Sequence, residues 1–258
     1  MSLHVQQFGS GPDIVLLHGW GLHGDVFKDL AWQLVNDYRV TLIDLPGHGR
    51  SPASQRAQDL AAFAQQVADE APSPAAWLGW SLGGMIATQV ALGVPARVEK
   101  LILVTSSPRF VTTDDWPYAM DPAVLDDFAQ ALHQDYHGTL ERFLALQAAP
   151  GTAGRDTLRQ LRQTLLRFPP PGSRALDDGL AILQSADLRN RLPALRCPVL
   201  SIFGQHDRLV PTAVAPAVKA LLPNAQVEII KGSGHAPFIS HPQAFLALVT
   251  AFLENNHG

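Results

Sequence analysis

The sequence has little cysteine and no long apolar run. Cys197 is the only cysteine among 258 residues, which excludes an intramolecular disulfide. It stands just before the apolar segment 199–203, where a buried structural thiol is favoured over a nucleophile. No stretch approaches the ~20 apolar residues that cross a membrane, and residues 1–11 lack the basic start and apolar centre of a signal peptide. We therefore expect a cytoplasmic protein that is not bound to a membrane.

Charged residues are scarce as well, at 16%, and the net charge of −4 argues against a nucleic-acid-binding protein. The sequence has no metal-ligand spacing and no glycine-rich phosphate loop, so we expect no metal and no organic cofactor. Apolar residues are plentiful instead, at 47% of the chain, and allow a large core. The length suits one α/β domain with an insertion.

Predicted strands and helices alternate over most of the chain. Helices are predicted at 26–35, 60–68, 85–92, 213–222 and 243–253, and apolar strands at 14–17, 40–44, 75–78, 101–104, 199–203 and 227–230. This alternation predicts a mostly parallel, doubly wound sheet with helices on both faces.

The alternation stops in the middle of the chain. Helical spacing without a clear strand occurs at 124–132, 139–146, 157–168 and 176–182. We expect a core built from 1–108 and 187–258, with a helical cap inserted at 109–186. Ligands bind at the carboxyl ends of the strands in such sheets, which is where the cap would lie.

The tight turn Gly79-Trp80-Ser81-Leu82-Gly83 joins a predicted strand to a predicted helix. This context makes it the nucleophile elbow of an α/β-hydrolase fold, in which Ser81 takes a strained backbone conformation above the sheet. A serine nucleophile needs a base and an orienting carboxylate. These follow in the chain order that the fold requires, as Asp207 after one strand and His235 in the Gly-rich loop after the last strand.

Other residues compete for these two roles. Asp44 precedes the serine and is interpreted as a loop anchor. His206 adjoins Asp207 but faces elsewhere if that carboxylate points inward. We expect structural, surface or capping roles for the remaining candidates, which are His18, His48 and His241.

The oxyanion of an ester hydrolase needs two backbone N–H donors. In this fold one comes from the residue after the nucleophile, which is Leu82, and the other from the loop after an earlier strand. Trp20 is the best candidate in that loop by its position.

The predicted cap is basic although the protein is acidic. Six arginines against two acidic residues give the segment 139–174 a charge of +4, which leaves −8 on the rest of this −4 chain. Arg155, Arg159 and Arg162 would share one helix face. Below this face an apolar slot is predicted, with candidate lining residues Trp20, Trp80, Leu82, Phe110, Trp116 and Phe143. A basic rim over an apolar slot suits an acyl chain delivered by an acidic carrier.

At this level of detail the chain resembles the pimeloyl-carrier-protein methyl ester carboxylesterases of biotin synthesis. The resemblance runs nearly end to end, includes the cap, and is carried by the segments 16–22, 44–47, 77–84, 142–147 and 235–242. It implies a cytoplasmic, monomeric esterase that removes the methyl group from pimeloyl-carrier-protein methyl ester and also accepts small esters.

The resemblance also implies roles for individual residues. The family's triad falls on Ser81, Asp207 and His235, and its oxyanion donors fall on Trp20 and Leu82. Trp20, Trp80, Leu82 and Phe143 are expected to bind substrate. The arginines that face the acyl carrier protein correspond to Arg142, Arg155 and Arg159, whereas a further basic position of the family is Gly138 here.

Three other functions share part of this evidence. A general short-chain carboxylesterase would use every catalytic residue named above, and only the basic cap argues against it. A carbon–carbon hydrolase or lyase uses the same fold and triad. A non-catalytic ligand-binding protein belongs to another class, and the intact triad argues against it. Dehalogenases and epoxide hydrolases are disfavoured because their nucleophile is an aspartate.

Overall fold

A seven-stranded sheet organises the computed structural model, which describes residues 2–132, 134–168 and 171–255. The strand order is β1-β3-β2-β4-β5-β6-β7, and only β1 runs antiparallel to its neighbour. The mostly parallel α/β sheet is as predicted. The strands are β1 Val5–Phe8, β2 Asp13–Leu17, β3 Arg39–Ile43, β4 Ala75–Trp80, β5 Val98–Val104, β6 Val199–Gly204 and β7 Gln226–Ile230.

The central strands are apolar along their whole length because both faces of the sheet are covered. Successive side chains of β2 enter different cores: Val15 and Leu17 join one cluster, and Ile14 and Leu16 join the other. Strand β1 was not predicted. It is a half-exposed edge strand with two glutamines, so it lacks the apolar run that marks the buried strands.

The helices cover the sheet and form a separate group between β5 and β6. The core helices are α1 Lys28–Leu34, α2 Leu60–Glu70, α3 Leu82–Gly93, α8 Val214–Leu221, α9 Pro237–Ser240 and α10 Pro242–Glu254. The group between β5 and β6 consists of α4 Pro122–Leu132, α5 Tyr136–Gln147, α6 Thr152–Leu165 and α7 Ser173–Ser185. These four helices occupy the segment for which the cap is predicted, and the cap boundaries themselves stay a prediction.

Helix α6 begins five residues earlier than the sequence pattern indicates. Gly151 at its N-cap has a φ of +91°, a conformation that favours glycine and places the helix start at Thr152. Among the described residues, no helix is long and apolar enough to cross a membrane.

The end of α6 is fixed to the core through a buried carboxylate. Asp25, whose side chain is 1% exposed, accepts hydrogen bonds from Lys28, from Arg50 and from Arg167 just beyond α6. Burial by itself would raise the pKa of Asp25, but hydrogen bonds from Lys28 and Arg167 hold this pKa well below its usual range.

Three more contacts reinforce this attachment. His23 Nε2 lies 2.7 Å from the carbonyl oxygen of Thr164, in the last turn of α6. The Arg50 guanidinium lies 4.5 Å from the ring centre of Phe168, which also meets the His23 ring edge-on. The cap helix that carries most of the predicted arginines is therefore held against the core at its C-terminal end.

Replacing Asp25 by asparagine should lower the free energy of unfolding by about 2–3 kcal/mol, because it leaves three cations without their shared carboxylate. This loss of unfolding free energy is smaller than the loss expected for a fully buried ion pair, since Lys28 and Arg167 are partly exposed. Denaturant unfolding at pH 7 measures the loss, with Asp29→Asn as the exposed control.

The depressed pKa of Asp25 also gives this stabilisation a pH dependence. A carboxyl group with a lowered folded pKa stabilises the protein fully above its unfolded pKa of about 4, and the stabilisation is lost as the pH falls through the folded value. The difference between wild type and Asp25→Asn should therefore shrink below about pH 4. A difference that stays constant there would contradict the ion-pair assignment.

Candidate active site

Ser81 lies in the strained turn that the sequence predicts. It links β4 to α3 with φ 56° and ψ −120°, outside the regions that residues with a side chain normally adopt. The turn is closely packed: an added Cβ at Gly79 would fall 2.5 Å from the Cα of Gly84, and one at Gly83 would fall 2.6 Å from the oxygen of His18. Glycine at 79 and 83 is therefore required for the helix to cross so near the strand.

Asp207 and His235 form a hydrogen-bonded pair. His235 Nδ1 lies 2.7 Å from Asp207 Oδ2, and both side chains are buried. The other carboxylate oxygen, Oδ1, accepts from the backbone amides of Leu209 at 2.8 Å and Val210 at 3.0 Å. The carboxylate is thus held in one orientation and fixes the imidazole tautomer with a proton on Nδ1.

The remaining nitrogen of His235 has no hydrogen-bond partner among the described residues, although it is buried. With Nδ1 bonded to Asp207, a neutral imidazole carries its lone pair on Nε2. This is the atom that a serine hydrolase uses to take the proton from its nucleophile. The arrangement leaves His235 ready to act as a general base.

Three hydrogen bonds hold the His235 loop in place, and a fourth holds the neighbouring Ser81. The backbone N–H of His235 donates to the carbonyl of Gln147, the last residue of α5, at 2.9 Å. Its carbonyl accepts from Trp80 Nε1 and from Thr105 Oγ1, each at 2.7 Å. Ser106 Oγ donates in turn to the carbonyl of Ser81 at 2.8 Å.

Thr105 and Ser106 bond to the backbone of His235 and Ser81, and the sequence analysis did not single them out. They follow β5 and contain no carboxylate, so the sequence offered no role for them. Thr105 has a φ of 43°, which is rare for a β-branched residue. This strain accompanies its bond to His235, and no sequence signal could have indicated it.

His18 and His48 are buried structural residues, in line with the sequence interpretation. His18 bonds through Nδ1 to the carbonyl of Gly19 and accepts the amide of Leu45 on Nε2. Burial lowers the pKa of His18 to about 3 and that of His48 to about 4, so both stay neutral. His206, next to Asp207 in the chain, is exposed, and His241 bonds to Ser240 at the start of α10.

Asp44 anchors a loop, as predicted. Its carboxylate accepts from the amide of Gly24 at 2.7 Å, from the amide of Arg50 at 3.0 Å and from the Arg50 guanidinium. Burial alone would raise the pKa of Asp44, but the hydrogen bonds from the Arg50 guanidinium and from the amides of Arg50 and Gly24 hold it below its usual value. Asp44 therefore remains charged and is committed to structure.

The loop after β2 places Trp20 next to the elbow. An added Cβ on the preceding residue, Gly19, would lie 3.3 Å from the Cβ of Ser81, which shows how closely the loop approaches the serine. The indole of Trp20 is buried, donates to the carbonyl of Leu176 at 2.9 Å and meets the Phe143 ring edge-on at 4.8 Å. The oxyanion role of the Trp20 and Leu82 amides stays a proposal.

Most of the predicted slot residues share one apolar cluster. Trp20, Leu82 and Phe143 belong to it together with Phe110 and Trp116. Trp80 belongs to the other cluster, beside Phe27 and Phe238. Its indole N–H donates to the carbonyl of His235, and the two ring centres are 5.7 Å apart. A contact between Trp80 and the substrate stays a prediction.

Comparison with known proteins agrees with this geometry. A family model for the alpha/beta hydrolase fold matches residues 12–242. The pimeloyl-(acyl-carrier protein) methyl ester esterase of Aeromonas hydrophila is 44% identical over 254 residues, covering 98% of this chain and 100% of the relative. The protein of the same name from Vibrio campbellii is 45% identical over 251 residues, covering 97% and 98%.

The chain belongs to the pimeloyl-(acyl-carrier protein) methyl ester esterase family of α/β-hydrolases. Among solved structures, an esterase from Exiguobacterium antarcticum superposes with a TM-score of 0.90 at 25% identity, covering 98% of this chain and 96% of that one. A bromoperoxidase from Bacillus anthracis superposes with a TM-score of 0.89 at 22% identity, which supports the fold alone.

The cap arginines of this esterase family member have unequal surroundings. Arg142 and Arg155 donate to the hydroxyls of Thr139 and Thr152, and among the described residues neither is paired with a carboxylate. Arg159 forms an ion pair with Asp156, and its side chain is 69% exposed. Such an exposed pair contributes little, so Arg159 can exchange its partner.

The two other arginines of α6 and its C-terminal end are committed to the fold. Arg162 pairs with Glu141 on α5, and Arg167 pairs with the buried Asp25. The uncommitted positive charge of the segment is therefore smaller than the composition suggests and, among the described residues, lies on Arg142, Arg155, Arg159 and the exposed Arg174.

Replacing Ser81 should separate its chemical role from its structural one. Ser81→Ala is expected to abolish ester hydrolysis while keeping the strained turn, because alanine retains a Cβ. Ser81→Gly should be equally inactive but more stable than Ser81→Ala by about 1 kcal/mol, since glycine relieves the strain. Hydrolysis of p-nitrophenyl butyrate and denaturant unfolding measure the two effects. Turnover by either variant would remove Ser81 from the mechanism.

Proposed function

We propose that this protein hydrolyses the methyl ester of pimeloyl-(acyl-carrier protein) to pimeloyl-(acyl-carrier protein) and methanol in biotin synthesis. The observation that carries the proposal is the hydrogen-bonded Asp207–His235 pair, whose His235 carbonyl is bonded by Trp80, the residue before the elbow serine. This site lies beneath a cap whose free cations suit an acidic carrier. The full-length similarity to esterases of that name supports the same substrate.

The first half of the reaction is acyl transfer to the enzyme. His235 Nε2 takes the proton of Ser81 as its Oγ attacks the ester carbonyl, and Asp207 stabilises the imidazolium that forms. The tetrahedral intermediate then collapses, and His235 gives the proton to the methoxy oxygen. Methanol leaves, and the pimeloyl chain remains esterified to Ser81 with its other end on the carrier.

The second half releases the product. Water enters the position of methanol, His235 takes one of its protons, and the resulting hydroxide attacks the acyl-enzyme. Collapse of the second intermediate returns the proton to Ser81 and frees a carboxylate. Each step balances without a metal or an organic cofactor.

The charge that develops on the carbonyl oxygen in both halves requires hydrogen-bond donors. We assign these to the backbone amides of Leu82, at the N-terminus of α3, and of Trp20 in the adjacent loop. A donor of this kind typically contributes ~3 kcal/mol to transition-state stabilisation. Both are backbone groups, so a side-chain substitution can test them only by shifting the backbone.

An apolar path between two cap helices supports an acyl substrate. A cavity of about 210 Å³ between α4 and α5 is lined by Val124, Asp127, Phe128, Arg142 and Leu146. The Phe128 ring contacts Phe143 at 5.6 Å, and Phe143 contacts Trp20 at 4.8 Å. A row of packed, buried aromatic rings thus connects this cavity to the loop that carries Trp20.

We assign carrier docking to Arg142, Arg155 and Arg159. Acidic carriers are attracted by clustered cations, and such contacts affect association and its salt dependence. Gly138 reduces this surface relative to the family pattern. Gly138 lies in the first turn of α5. The space that a side chain would need there is filled by the Asp135 carboxylate, which caps the helix by accepting the amide of Gly138 at 2.9 Å.

The double variant Arg155→Glu, Arg159→Glu should lower kcat/KM for the carrier-linked methyl ester at least tenfold through KM, because each change turns an attraction into a repulsion. Hydrolysis of the small ester methyl pimelate should be unchanged, since it needs no carrier contact. Arg196→Glu is the matched control. Arg196 is exposed and lies shortly before β6, near the amino ends of the parallel strands and away from the site at their carboxyl ends.

Salt concentration provides an independent readout of docking. We expect the advantage of the carrier-linked substrate over the small ester to fall between 50 and 500 mM NaCl, because salt screens exposed charges. Equal rates for both substrates at all salt concentrations would contradict the carrier and indicate a general short-chain carboxylesterase. Equal loss of both activities in the double variant would indicate damage to the cap instead.

A further inference from the structure

Helix α7 of the cap contacts both residues whose amides are assigned to the oxyanion hole. The contact is made at Gly179, in the middle of the helix. A Cβ added there would fall 2.6 Å from Trp20 Cδ1, 3.1 Å from Trp20 Nε1 and 3.4 Å from Leu82 Cδ2. Trp20 and Leu82 come from different core loops, so one cap residue touches two separately positioned donors.

The Trp20 indole is enclosed on several sides. Nε1 donates to the carbonyl of Leu176, which lies in α7 three residues before Gly179, at 2.9 Å. Phe143 on α5 packs edge-on against the same ring. The ring is 1% exposed, so it has no room to move away from an added methyl group without moving its own backbone.

We infer that Gly179 is a positioning residue for catalysis: its missing side chain lets α7 hold Trp20 and Leu82 at the separation that the oxyanion needs. The inference rests on the proposed function, because it presumes that these two amides stabilise the oxyanion. It assigns to the cap a role in the chemical step in addition to covering the site.

The physical reason is the short range of a hydrogen bond. A Cβ at 2.6 Å from a ring carbon is closer than real atoms approach, so helix or ring must shift. The Trp20 ring cannot shift alone, because it is bonded to Leu176 and packed on Phe143. A displacement of its backbone amide by a fraction of an ångström weakens the bond to the transition state, and a 1 Å error costs about 100-fold in rate.

The test is Gly179→Ala. We expect kcat for methyl pimelate to fall about tenfold or more, with KM changed less than about threefold. Butylboronic acid, which forms a tetrahedral adduct with a catalytic serine, should bind more weakly by a similar factor. Inhibition by pimelate, a ground-state ligand, should be unchanged. A merely structural role would not separate these two inhibitors.

Gly172→Ala is the matched control, because Gly172 is the N-cap of the same helix. A Cβ there meets only Ala53, at an ordinary contact distance of 3.5 Å. This variant should keep both kcat and boronate affinity. A loss equal to that of Gly179→Ala would overturn the inference, since it would assign the effect to the helix as a whole.

Trp20→Phe gives a second measurement. It removes the indole N–H that bonds to Leu176 and leaves a smaller ring. Alone it should weaken boronate binding. Combined with Gly179→Ala it should cost less than the product of the two single effects, because the smaller ring makes room for the methyl group. Independent, multiplicative effects would contradict the inference.

If Gly179→Ala does not fold, boronate affinity in Trp20→Phe decides: a loss supports the inference and no change overturns it.

Failure of the inference and failure of the proposed function are distinguishable. Turnover by Ser81→Ala would overturn both. An inactive Ser81→Ala together with unchanged kcat and boronate affinity in Gly179→Ala would overturn only the role of Gly179.

Discussion

The close approach of helix α3 to strand β4 is the constraint on which the rest of the site depends. Glycine at 79 and 83 allows helix and strand to meet without clashes. Ser81 is thereby held at φ 56° with its hydroxyl group at the carboxyl edge of the sheet. The same turn aims the amide of Leu82 toward the substrate side, at the N-terminus of a helix, where negative charge is favoured. The nucleophile and one proposed oxyanion donor therefore follow from a single backbone arrangement, whose strain is offset by the buried core around it.

The cap is joined to the catalytic loops as well as covering them. The carbonyl of Gln147 at the end of α5 accepts the amide of His235, and the carbonyl of Leu176 in α7 accepts the indole of Trp20. Helix α6 is fixed separately, through Arg167 and the buried Asp25. The first two contacts each couple a cap helix to a different part of the proposed site, and the third couples a cap helix to the core. A carrier protein that docks on the cap arginines would thus act on a surface connected to the base and to the oxyanion loop.

Prediction from the sequence succeeded where a pattern is local. The apolar runs predicted six of the strands, and the Gly-x-Ser-x-Gly turn between a strand and a helix predicted the elbow. The order of serine, aspartate and histidine along the chain then selected Asp207 and His235 over Asp44 and His18, and the structure joins the selected pair by a 2.7 Å hydrogen bond. Edge strand β1 was missed, because an edge strand with two glutamines carries no apolar run.

The sequence by itself therefore determined the fold class and led to the proposed nucleophile and its two proposed partners, because these depend on chain order and on residue types with few alternatives. Only the tertiary structure decided which side chains surround them. Trp80 packs in a different cluster from Leu82, and its indole N–H bonds to the carbonyl of His235. Thr105 has a strained backbone conformation, and its hydroxyl group bonds to the same His235 carbonyl. Likewise, whether a cap arginine is held in an ion pair depends on carboxylates far away in sequence, as the pair of Arg167 and Asp25 shows. Composition counts charges, but only the folded arrangement determines which of them remain available to a partner.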